Sequence, residues 1–128
     1  MAKQFALRVL IGRLVPKRIT GKLLLKAELK KWGIDASQFP DQVLTDIFAY
    51  CYSSARLMRG LSRNSVTEDF VTAVKVYAGR VAWHLTGDKN RIAAEAADLA
   101  EREISDPMAE ILAKYRIKPD PIYLLQAD

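Results

Sequence analysis

The chain has 128 residues, half of them apolar and 27% charged, with a formal net charge of +5 and one cysteine. That length suits a single domain with a core large enough to need no metal or disulfide staple, and the composition excludes a disordered chain. Cys51 has no partner for an internal disulfide, and no apolar run reaches the about 18 residues that span a bilayer.

The charge is unevenly placed. Residues 1–33 hold nine basic side chains against one acid, Glu28, a local charge of +8. Residues 34–128 hold eleven basic and fourteen acidic ones, a local charge of −3. The N-terminal third is therefore the first place to look for an acidic or phosphate-bearing partner. Lys3 followed by an apolar stretch has the outline of an export signal. Arg8 interrupts that stretch, however, and Arg13, Lys17 and Arg18 stand where small cleavage-site residues belong. A cytoplasmic protein is the expectation.

Taken in chain order, residues 3–15 show both periods. Phe5, Ala6, Val9, Leu10 and Leu14 make a helical stripe, while Phe5, Leu7, Val9 and Ile11 alternate as in a strand. Helix is preferred, because a lone strand would leave an unpaired edge in a helical protein. Pro16 ends the element either way. Residues 1–18 are thus read as a basic amphipathic arm or first helix. Thr20 is a candidate cap for a helix running to Trp32, with Leu25, Leu29 and Trp32 inward and Lys22, Lys26 and Lys30 one turn apart on another face. Gly33 suits the left-handed position after its end, with Ile34 closing the turn.

The next helix starts at Ser37 or Asp41 and carries a long apolar stripe of Leu44, Ile47, Phe48, Cys51, Ala55 and Met58 to about Arg59. After a short connection, Ser65 and Glu68 have capping-box spacing. The helix they open runs to about Leu85, with Phe70, Val74, Tyr77, Ala78, Val81 and Leu85 inward. Gly87-Asp88 separates it from an alanine-rich helix over 89–103. Ser105-Asp106-Pro107 opens a last short helix, which Pro119 and Pro121 are expected to stop. Ile122 to Leu125 are too apolar for a free tail. The expected fold is all-α: a compact bundle of about five to six helices over residues 19–118, with the basic segment before it and an apolar tail at 119–128.

Chemistry is sparse. His84 is the only histidine, so a histidine cluster for metal or a His-dependent nucleophile has little to build on. It lies one turn before Asp88, and a histidine paired to that carboxylate near a helix end accounts for it. Cys51 falls on an apolar stripe, where cysteine packs as a small hydrophobe. Glu95, Asp98, Glu101, Glu103 and Asp106 read as a solvated or docking face. Phosphate-loop, dinucleotide, serine-hydrolase and zinc signatures are all missing from the sequence. The expectation is a protein that is not an enzyme and takes no cofactor.

The basic third leaves three partners to weigh. Lysines and arginines can neutralise phosphates without reading sequence. Trp32 and the apolar residues of the first segment, framed by charge, fit docking on a protein or a second copy of the chain. An anionic membrane surface fits less well, since the segment is short and its polar face weak. A helix-turn-helix reading of 41–59 and 65–85 is opposed by Glu68 and Asp69, which sit where the recognition helix would meet phosphates. The leading expectation is a non-catalytic adaptor or assembly protein that binds a macromolecular partner through Arg8, Arg13, Lys17, Arg18, Lys22, Lys26, Lys30 and Trp32. The alternative is a nucleic-acid-associated protein making non-specific phosphate contacts.

Overall fold

A computed structural model describes residues 18–59, 66–88, 97, 100, 101 and 105–125. Four α-helices lie among them: α1 (Arg18–Lys31), α2 (Asp41–Arg59), α3 (Val66–Thr86) and α4 (Pro107–Lys114). Ala97, Ala100 and Glu101 are also helical. No β-strand occurs among the described residues, so the expected all-α class holds. The arm at 1–17, the 60–65 connection with Ser65, and most of the expected 89–103 helix lie outside the described residues.

The core is organised around α3. Seven consecutive residues, Val76 to Ala82, are buried, and only a helix enclosed on all sides can hide nearly two full turns. α1, α2 and α4 each pack against it. Phe70, Ala73, Val74, Tyr77, Ala78 and Val81 are fully withdrawn from solvent, each large one contributing about 1.5–3 kcal/mol of burial. Leu44, Ile47, Cys51 and Ala55 supply the facing stripe of α2, as the periodicity of that segment predicts. Tyr50 meets Tyr77 edge-on with ring centroids 4.9 Å apart, and Phe48 meets Phe70 at 5.6 Å.

Helix α1 already includes Arg18, three residues before the start that a Thr20 cap would set, so Thr20 lies inside the helix. Its other end is as expected. Gly33 has φ 82, its N–H donates to the Lys30 carbonyl at 3.0 Å, and Ile34 N–H donates to the Leu29 carbonyl at 2.9 Å. This pair of bonds satisfies two carbonyls left over at the helix end. Asp35 then accepts from Ser37 N–H and opens a single 3-10 turn over Ala36–Gln38.

The last helix does not end where its prolines suggested. α4 closes at Arg116, which has φ 58, with Arg116 N–H donating to Ala113 and Ile117 N–H to Leu112 at 2.8 Å. That is the same closing motif as at Gly33, with an arginine in the position that glycine prefers. Pro119 and Pro121 come after the helix is already finished. The tail folds back: Leu124 forms an isolated antiparallel bridge with Ile34, and the Tyr123 ring meets that of Phe39 at a tilt, with centroids 5.2 Å apart. Asp35 N–H donates to the Tyr123 carbonyl, and Leu125 N–H to that of Gly33. The end of α1 and the end of the chain are thereby tied together.

Candidate functional site

The outer face of α1 carries the basic residues, and its geometry follows from the run Leu23-Leu24-Leu25. At 100° per residue, three successive leucines cannot share one side. Leu25 and Leu29 are fully buried, Leu24 is half-buried against the core, and Leu23, about 200° around from Leu25, is 55% exposed. Lys26 and Lys30 are exposed on that same outer side, and neither has an ion-pair partner among the described residues.

The other cations differ from this pair. Lys22 turns aside to Asp41, with Nζ 2.7 Å from the carboxylate and its own side chain only 14% exposed. Lys31 lies 3.1 Å from Glu28, whose side chain is nearly buried. Arg18 opens α1. Arg8, Arg13 and Lys17 lie outside the described residues. Trp32 is half-buried and packs against the core, close to the tied-back tail. The structure therefore brings Lys26 and Lys30 together with Leu23, a residue that a search for basic and aromatic anchors passes over. The triple leucine was the available signal.

A second polar cluster joins α3 to the start of α4. Asp106 caps α4, accepting from Met108 N–H at 3.1 Å and Ala109 N–H at 3.4 Å. Its other contacts are long-range: Arg80 lies 2.9 Å from Oδ1, and His84 Nε2 donates to Oδ2 at 2.6 Å. Arg80 is buried, with its side chain 6% exposed. Burial pushes the Asp106 carboxyl up, but the charges of His84 and Arg80 and the hydrogen bonds outweigh it and hold the group below its ordinary value. The partner of His84 is thus Asp106 rather than the nearby Asp88. The Trp83 ring lies at a tilt beside that of His84, with centroids 4.6 Å apart.

On α2, Asp46 accepts from Tyr115 Oη at 2.7 Å and Lys114 Nζ at 3.0 Å. The Tyr115 hydrogen bond is the main cause that holds this carboxyl low. It clamps α4 to α2. Cys51 is fully buried, which pushes its thiol well above the ordinary range and makes a thiolate nucleophile unfavourable. Among the described residues no three His, Cys, Asp or Glu side chains are grouped to hold a metal, and no helix is long and apolar enough to cross a membrane.

Comparison with protein-family models, with curated proteins and with solved structures finds no match.

Proposed function

We propose that the chain is a non-catalytic adaptor or assembly protein whose basic N-terminal third docks on an acidic surface of a protein partner. The observation that carries this reading is the placing of Leu23 beside Lys26 and Lys30 on the outer face of α1. An exposed leucine alone is ordinary. An apolar anchor framed by cations that have no carboxylate partner among the described residues is the arrangement that a protein interface uses.

Phosphate binding favours a different pattern. A polyanion is best followed by an unbroken stripe of cations, and the lysine ladder of α1 is interrupted where Lys22 turns to Asp41. The charge of +8 over residues 1–33 still supports the nucleic-acid reading as the rival.

A gel shift with duplex and single-stranded oligonucleotides at about 50 mM salt separates the two. The docking reading expects no shift that depends on Lys26 and Lys30. A salt-sensitive shift abolished in Lys26→Glu/Lys30→Glu overturns it in favour of the rival. Removing residues 1–15 is expected to leave a cooperatively unfolding helical protein, read by circular dichroism through a urea melt. Loss of cooperativity would place Phe5, Val9 and Leu10 in the core and end the idea of a detachable arm.

A further inference from the structure

The side of α4 that faces away from α2 borders a groove of about 740 Å³, a volume within the range of small-molecule sites. Ala109, Leu112 and Ala113 fall at intervals of three and four, one stripe of the helix, and Arg116 follows in the closing turn. The two alanines take up little room and leave a floor about one turn long. Leu85 at the end of α3 and Ile117 beyond the α4 turn complete the apolar lining. The polar side chains in the lining are His84 and the two cations Arg116 and Lys118. Among the described residues that line the groove, none is acidic.

The cations are not spread evenly. Arg116 and Lys118 both line the groove just beyond the end of α4. The helix's own negative pole lies there too, but the closing turn already satisfies the carbonyls of Leu112 and Ala113, and two full charges outweigh the residual dipole. His84 has its Nε2 committed to Asp106, so it borders the groove as a fixed ring. Arg116 holds a backbone conformation that costs a non-glycine residue about 1–2 kcal/mol. Such strain persists where the side chain is wanted at that spot.

We infer that this groove binds a small amphipathic carboxylate, its apolar body lying along Ala109 and Ala113 and its anionic head at Arg116 and Lys118. The site is separate from the outer face of α1 and does not depend on the docking proposed there.

The test is a titration of the full chain with decanoate, decan-1-ol and decyltrimethylammonium, each below its aggregation limit, followed by amide chemical shifts. Saturable decanoate binding is expected, with the largest shifts at Ala109, Ala113 and Ile117. The alcohol should bind roughly tenfold more weakly, because the charge-assisted hydrogen bonds are lost, and the cation should not bind. Arg116→Gly suits the left-handed backbone, so it should stay folded while weakening decanoate to about the level of the alcohol. Equal affinity for decanoate and decanol, shifts confined to other surfaces, or unchanged affinity in Arg116→Gly would each overturn the inference. Binding only to vesicles containing phosphatidylglycerol, with no saturable decanoate binding, would overturn it in favour of a membrane contact.

Discussion

Asp106 and Arg80 form an ion pair at 2.9 Å between the middle of α3 and the cap of α4, with the guanidinium almost wholly buried. One carboxylate thus neutralises a buried cation, receives the only histidine of the chain and satisfies the first free N–H groups of a helix. Two substitutions separate these roles. Asp106→Asn keeps a capping oxygen but removes the carboxylate charge beside the buried Arg80. Asp106→Ala loses the cap as well. Urea melts are expected to show a loss of about 2 kcal/mol for the first and about 3 kcal/mol for the second. Equal stability of both variants with the native chain would mean that Arg80 finds its charge balance elsewhere.

The same carboxylate makes stability depend on pH, and the sign is fixed by the direction of its shift. Asp106 is held below its ordinary 3.8 in the folded chain. The unfolded chain therefore takes up the proton first as pH falls. The contribution is fully present above about 3.8 and disappears as pH drops through the lower folded value. Asp46, held low chiefly by Tyr115, acts in the same direction. Unfolding free energy measured between pH 6 and pH 2 should fall below about pH 4. The fall should be shallower in Asp106→Asn/Asp46→Asn. A parallel fall in the double variant would assign the acid sensitivity to other groups.

Arg116 offers a stabilising change. Its φ of 58 lies where a Cβ is unfavourable and glycine is free. Arg116→Gly is expected to raise stability by about 1 kcal/mol, seen as a higher midpoint in thermal or urea unfolding. Arg116→Ala, which keeps the Cβ, should change it little. A destabilised glycine variant would mean that the arginine side chain makes a structural contact worth more than the backbone strain.

Gly21 is a buried residue of α1 that faces the rings of Phe48 and Phe70. A Cβ there would overlap the Phe48 ring and come 3.2 Å from Phe70 Cζ. Phe48 has little room to retreat, because it is already packed on Phe70 and Tyr52. Gly21→Ala should cost about 2 kcal/mol despite alanine's better helix propensity. Combining it with Phe48→Leu should recover part of that loss in a double-mutant cycle. Strict additivity would mean that the two positions do not touch.

Much of this fold was legible in local pattern. The buried faces of α2 and α3, the end of α1 at Gly33 and the start of α4 at Asp106 all follow from periodicity, glycine and caps. Other features depend on distant residues or on a residue type that carries no local signal. An arginine does not announce a left-handed turn, so in the sequence the prolines stand out as the end of α4 although Arg116 closes it. Asp88 is the acid nearest His84 in sequence, whereas the fold pairs the histidine with Asp106. Lys22 reads as one rung of a ladder until Asp41 is seen beside it. Leu23 becomes an outward anchor only once Leu25 and Leu29 fix which side of α1 is the core. The pattern marked α1 as the basic helix, but only the packing singled out Lys26, Lys30 and Leu23.

Site-directed photocrosslinking at position 23 tests the docking reading most directly. A benzophenone amino acid replaces Leu23 in the full chain, expressed in its native cells, with position 72 on the exposed side of α3 as the control. The expected result is a discrete protein adduct at position 23, absent at position 72 and lost when Lys26→Glu/Lys30→Glu is added. A nuclease-sensitive adduct at position 23, or no adduct above the position 72 control, would contradict docking of the α1 face on a protein.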